Sequence, residues 1–124
     1  MGYEIKVSES GNYIVVTITG PLDTTTANKF TAEARELSEA KGIPRFLFDV
    51  REATNVESAF ANYTFARSDL RRLEFSDSAR VAILAREGDT SHDLVESFVQ
   101  QAGFNVRMFR DLAAAEAWLA ESDS

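Results

Sequence analysis

The sequence predicts an α/β domain on a mixed sheet, with an N-terminal antiparallel hairpin followed by parallel strands joined through right-handed helical crossovers. Three observations carry this reading. Period-two apolar patterns and short β-branched runs alternate with segments of helical period. Turn-forming residues separate them, among them Gly20-Pro21, Gly42 with Pro44, and Gly103. Strands separated by helices need crossovers, which makes the later strands parallel and the connections right-handed. The predicted order is β-β-α-β-α-β-α-β-α.

Residues 3–8 alternate, with Tyr3, Ile5 and Val7 on one face, and read as an edge strand. Ser10-Gly11-Asn12 is a turn signal, and the β-branched run over residues 12–19 reads as the second strand, ended by Gly20-Pro21. Asp23 or Thr24 caps the first helix, because a short side-chain oxygen there accepts an unpaired first-turn N–H. Ala27, Phe30, Ala34 and Leu37 share one face of that helix, and Gly42 suits a left-handed cap at its end. Residues 45–50, with Phe46-Leu47-Phe48, read as a central strand buried on both faces. Thr54 and Glu57 have capping-box spacing, so a second helix is expected from Thr54 to about Leu73, with Phe60, Tyr63, Leu70 and Leu73 on its packing face. Residues 80–85 form the next strand. Thr90-Ser91-His92-Asp93 gives a second capping-box spacing before a helix lined by Leu94, Val95, Phe98, Val99 and Ala102. Residues 104–109 form the last strand. Asp111 caps a final helix that packs through Leu112, Ala115, Trp118 and Leu119.

The chain has 124 residues, enough for one domain with an ordinary core; residues 1–121 read as that domain and 122–124 as a polar tail. Its net charge of −7 argues against nucleic acid or an anionic membrane surface as partner, since both are polyanions. The absence of cysteine excludes disulfides, iron–sulfur clusters and thiol nucleophiles, and a single histidine leaves no metal-ligand set. No apolar run approaches membrane-spanning length and no secretion signal is visible, so a cytoplasmic protein without membrane insertion is expected. No phosphate-cradling glycine loop, nucleophile elbow or dinucleotide fingerprint occurs, so no cofactor is expected.

Three segments resemble the STAS fold, the family of anti-sigma-factor antagonists and sulphate-transporter tails. In residues 16–27, Gly20-Pro21-Leu22-Asp23-Thr24-Thr25-Thr26-Ala27 is similar to the family's Gly-x-Leu-Asp-x-x-x-Ala turn. In residues 46–58, a strand ending in Asp49 leads to Glu57-Ser58, at the separation of the antagonists' Asp-Ser pair. In residues 103–119, Gly103-Phe104-Asn105-Val106-Arg107-Met108-Phe109-Arg110-Asp111 and Glu116-Ala117-Trp118-Leu119 resemble the closing strand and helix, most of all in small bacterial STAS-like proteins of unassigned role. Glu57-Ser58-Ala59-Phe60 stands where the antagonists have Asp-Ser-Ser/Thr-Gly. The resemblance implies a non-enzymatic regulatory domain that binds a protein, a kinase-like anti-sigma factor being the family's type of partner.

Ser58, expected in the first turn of the second helix, is the candidate phosphosite, because first-turn N–H groups and the helix dipole favour a phosphate. The alternative is an ordinary polar first-turn serine. The candidate partner surface is Arg51, Glu57, Ser58, Asn62 and Phe65. Arg51, Arg86 and Arg110 each fall at or beyond a strand's C-terminal end, where α/β sheets bind ligands, and form a candidate anion site. Their plainer reading is pairing with Glu52, Glu87 and Asp111. Asp23 and Asp49 suggest an acid/base pair only weakly, since turn and capping roles suffice for both. His92 reads as a surface first-turn residue. Phe60, Tyr63, Phe65 and Phe75 exceed what one packing face hides. Either neighbouring loops cover them, or Phe65 and Phe75 mark an exposed partner patch or a lipid-accepting groove. The second functional reading is therefore a module binding a lipid or anionic small molecule between the second helix and the sheet. A homodimer is a further option.

Overall fold

The computed structural model describes residues 2–121. Five strands form one sheet in the order β1-β2-β3-β4-β5: β1 Tyr3–Val7, β2 Ile14–Leu22, β3 Arg45–Asn55, β4 Arg80–Leu84 and β5 Asn105–Phe109. β1 runs antiparallel to β2, with Tyr3 opposite Ile18, and the remaining pairs are parallel. The helices are α1 Thr24–Lys41, α2, α3 Asp93–Gln101 and α4 Leu112–Leu119. α2 is continuous over residues 59–72: α-helical over Ala59–Thr64, π-helical over Phe65–Asp69 and α-helical again over Leu70–Arg72.

The alternation in each strand sends side chains to two cores. On one face Ile14, Val16, Ile18, Phe46 and Val81 pack beneath α1, α2 and α3. On the other, Tyr13, Leu47, Ala82 and Leu84 pack beneath α4 through Ala115, Trp118 and Leu119. The predicted caps at Asp23 and Asp111 are present, accepting from the N–H groups of Thr26 and Ala114 at 2.9 Å each. Gly42 ends α1 in the left-handed region at φ 68°, which glycine adopts without steric cost.

α4 is held at its middle and at its C-terminal end. The Tyr13 hydroxyl donates to Glu116 at 2.5 Å. Arg80 donates to the Trp118 carbonyl at 2.6 Å, and Arg45 to that of Leu119, placing cations at the negative end of the helix dipole. Arg80 and Arg107 also lie 5.3 and 5.5 Å from the Trp118 ring centroid. The outer edge of β5 is covered by α3: Met108 N–H donates to Glu96 at 3.0 Å and Gln100 donates to the Val106 carbonyl at 3.0 Å. Such cover blocks edge-to-edge pairing.

Several expectations are corrected. β2 does not end at Gly20-Pro21. Its register against β3 shifts between Thr17, opposite Asp49, and Thr19, opposite Glu52, with the extra residue on β3, and it continues to Leu22, opposite Asn55. Pro21 is tolerated because, among the described residues, pairing on that side of β2 goes no further than the Thr19 N–H, which donates to the Gly2 carbonyl at 2.7 Å. β3 correspondingly runs past Val50 to Asn55 and draws Thr54 into the sheet, so no capping box forms with Glu57; the cap of α2 is Ser58. Thr90 does not cap α3 either; the Ser91 N–H goes to Asp89 at 2.9 Å, and His92 directly precedes the helix. Leu94 and Leu112 are exposed, not packed.

Burial, the hydrogen bond to Glu116 and the Glu116 charge push the Tyr13 phenol up to about 12. The folded state therefore holds this proton more tightly than the unfolded chain does. The associated stability is complete below the free-tyrosine value of about 10 and is lost as pH rises through about 12. A Tyr13→Phe variant should lose less stability than wild type across that window, measured as the urea midpoint against pH. Identical slopes would contradict the Tyr13–Glu116 coupling.

Candidate functional site

The site lies where the parallel strands end. β4 pairs with β3 only as far as Leu84 opposite Asp49, so residues 50–55 of β3 have no strand on that side. Backbone groups two residues apart point to the same edge of a strand, and here three side chains beyond β4 satisfy them. The Arg51 carbonyl accepts from Arg86 at 2.8 Å, the Ala53 carbonyl lies 3.2 Å from His92 Nε2, and Asn55 N–H donates to Ser91 at 3.1 Å. His92 is consequently 2% exposed and not a surface residue. Its Nε2 also lies 3.4 Å from Asp89 Oδ2. The Ser91 N–H bond, the largest influence, holds the Asp89 carboxyl below the usual carboxylate range.

The segment after β3 is bound to α1. Glu57 Oε2 accepts from the N–H of Thr24 at 2.8 Å and from its hydroxyl at 3.2 Å. Glu57 and Asp23 together serve the first turn of α1, where donors are unpaired and negative charge is favoured. Hydrogen bonds from Thr26 hold the Asp23 carboxyl below its ordinary range. Asn55 accepts from Glu57 N–H at 2.9 Å and donates to Asn62 at 3.0 Å, while Asn62 donates to the Ser58 carbonyl at 3.0 Å.

Arg51, Arg86 and Arg110 do gather at this edge, but with other partners than Glu52, Glu87 and Asp111. Arg51 grips Asp49 with two bonds of 3.0 and 2.9 Å. Arg110 donates to the carbonyls of Arg86 at 2.8 Å and Asp89 at 2.6 Å, and lies 3.6 Å from Asp93. Arg86 and Arg110 thus link successive segments, whereas the Arg51 guanidinium stays on Asp49 of its own strand. Asp23 and Asp49 are not a pair: Asp49 lies opposite Thr17, whereas Asp23 follows Leu22, which lies opposite Asn55.

Two faces of α2 differ from expectation. Phe65 is 9% exposed, and Asn62 and Phe75 are also buried, so Phe65 and Asn62 cannot belong to an outer contact surface. Phe60 is 77% exposed and Tyr63 44%, with Val56 exposed beside them. The cause is the inward face Asn62, Phe65, Ala66 and Leu70. The Leu70 N–H bonds to the Phe65 carbonyl five residues back, which stacks Leu70 over Phe65. Ser58 is exposed, and its Oγ accepts from Ala61 N–H at 3.1 Å.

Beneath α2 is a cavity of about 110 Å³. Its apolar wall includes Ala27, Phe30, Phe65, Leu70, Ile83 and Val99, and its polar lining is Asp23, Thr24, Thr31, Asn55, Glu57, Asn62 and His92. Nothing in the local residue pattern marks His92 as buried, because its partner is a carbonyl 39 residues away. Among the described residues, no three or more His, Asp or Glu are grouped to hold a metal, and no helix is long and apolar enough to cross a membrane.

The family model that matches, over residues 13–120, is described as SpoIIAA-like. No curated protein matches. Among solved structures, the chain is similar to an uncharacterized protein of the DUF3478 family with a SpoIIAA-like fold from Shewanella loihica PV-4, at 20% identity and a TM-score of 0.61, covering 95% of this chain and 92% of that one. It is similar to an anti-sigma factor antagonist from Mycobacterium paratuberculosis at 13% identity and TM-score 0.60, covering 96% and 93%. It is also similar to the anti-sigma factor antagonist SpoIIAA in its unphosphorylated form, at 12% identity and TM-score 0.60, covering 98% and 99%.

The Glu57–Thr24 clasp has a direct test. Glu57→Ala should destabilise the fold by about 1–2 kcal/mol, because a charged acceptor is lost from a half-buried donor. It should also speed hydrogen exchange at the Thr24 amide, while Glu57→Gln retains most of the protection. Unchanged exchange at Thr24 in Glu57→Ala would refute the clasp.

Proposed function

The chain belongs to the SpoIIAA-like family, and from that premise we propose that it is a non-enzymatic regulatory domain that acts in the cytoplasm by binding a protein partner. The observation that carries this reading is the apolar surface at the start of α2. Val56, Phe60 and Tyr63 are exposed around the exposed Ser58. Large aromatic side chains left in water in a contiguous group mark contact surfaces, and aromatics dominate the energetics of such contacts. Arg67 lies 5.7 Å from the Tyr63 ring centroid, and Tyr63 rests edge-on against Phe98 at 5.4 Å, which holds its ring in place. The contact surface then comprises Val56, Phe60 and Tyr63, with Arg51, Glu57 and Ser58 at its polar margin.

Two of the structural neighbours are anti-sigma factor antagonists, which supports an anti-sigma factor of the kinase-like type as partner. Ser58 is the residue through which such a partner would regulate the contact. A phosphate there would add a charge of about −2 beside Phe60 and next to Glu57, opposing an apolar or acidic partner surface by desolvation and repulsion. Ser58 is the cap of α2, and a phosphate on it would lie beside first-turn N–H groups, which favour negative charge.

The test is titration calorimetry of wild type, Phe60→Ala, Ser58→Ala and Ser58→Asp against a purified kinase-like anti-sigma factor from the same cells. Phe60→Ala should weaken binding roughly tenfold or more. Ser58→Asp should also weaken it, with Ser58→Ala near wild type. Equal affinity across all four proteins, or no binding by any, would overturn the proposal.

A further inference from the structure

The inner side of α2 supports an inference independent of the protein-binding surface on its outer side. We propose that the cavity beneath α2 is a binding site for a neutral, ring-sized apolar molecule carrying one hydrogen-bond donor, which Nδ1 of His92 accepts.

Size sets the first limit. The cavity, about 110 Å³, is of the same order as an engineered apolar cavity of about 150 Å³ that takes benzene. One aromatic ring fills such a space, and a long acyl chain does not fit within it. The wall is shaped for this purpose by the π-helical turn, which stacks Phe65 and Leu70 side by side on the cavity. π-turns disrupt regular helix bonding and concentrate at functional sites.

The chemistry of the polar lining sets the second limit. Both neighbours of His92 Nε2, the Ala53 carbonyl and the Asp89 carboxylate, are acceptors, so Nε2 carries the hydrogen. In the neutral ring Nδ1 is then an acceptor, and no described residue donates to it. His92 lines the cavity, and a lining acceptor that no protein donor reaches suits a donor supplied by a ligand. Two carboxylates, Asp23 and Glu57, line the same cavity, and Asp89 lies behind His92. An anionic ligand such as a fatty acid meets repulsion from all three. A cation would exchange its hydration for carboxylates already engaged by the first turn of α1 and an otherwise mostly apolar wall. A neutral molecule with a hydroxyl or ring N–H meets neither obstacle.

His92 is the chain's only histidine, so its two ring nitrogens give the only imidazole signals in a ¹⁵N spectrum of the whole protein. Phenol, toluene and hexanoate are titrated into the full chain. Phenol should bind at least as tightly as toluene and shift the Nδ1 resonance upfield as it saturates, with Nε2 nearly unmoved; hexanoate should not bind. In a cavity offering no acceptor, burial of the hydroxyl would leave phenol roughly tenfold or more weaker than toluene. His92→Phe should keep toluene binding and weaken phenol roughly tenfold. Ala27→Leu, which fills the cavity, should abolish both. Should His92→Phe fail to fold, the wild-type Nδ1 shift decides alone. No saturable binding of phenol, a stationary Nδ1 signal at saturating phenol, or tighter binding of hexanoate than of phenol would overturn the proposal.

Discussion

Beyond Asp49, β3 runs on without β4 beside it, and its unpaired backbone groups govern how this end of the molecule is built. A strand edge at the rim of a core must be hydrogen-bonded or wet. Here Arg86, His92 and Ser91 take the place of β4, bonding residues 51, 53 and 55 in turn. Three consequences follow from that single arrangement. His92 is drawn inside. The segment before α3 is fixed against β3. Asn55 and Glu57 are carried far enough to close over the start of α1, where Glu57 meets Thr24.

Because β3 is long, α2 begins late, at Ser58, and it must still cover the sheet before β4 returns. It does so with Asn62, Phe65, Ala66 and Leu70 turned inward and Phe60 and Tyr63 turned out. One helix thus has an apolar face in each direction. The inner face is continuous with the core, and the outer face has, among the described residues, only Phe98 and Arg67 against it as aromatic and cationic contacts. The protein-binding reading rests on the outer face and the small-molecule reading on the inner one, so neither requires the other.

The order of elements and most caps were legible in the sequence because they depend on neighbours in the chain: Asp23, Gly42 and Asp111 act within one turn of where they stand. The rest depends on partners far away. Thr54 and Glu57 have the spacing of a capping box, yet a paired strand claimed Thr54 and α1 claimed Glu57. The face of α2 was misassigned because its inward stripe contains Asn62, a polar residue that Asn55 and the Ser58 carbonyl satisfy, and because the π-helical turn alters the helical phase after Thr64. The gathering of Arg51, Arg86 and Arg110 followed from strand order, but their partners did not. Carbonyls of neighbouring loops leave no mark in a residue pattern.

The central claim is the orientation of α2, with Phe65 inside and Phe60 outside. The chain has no cysteine, so single Phe60→Cys and Phe65→Cys variants each present one thiol to a labelling reagent. Under native conditions Phe60→Cys should react at the rate of a free thiol, and Phe65→Cys about tenfold or more slowly, at a rate set by opening of the helix. Equal rates, or faster labelling at position 65, would contradict the account.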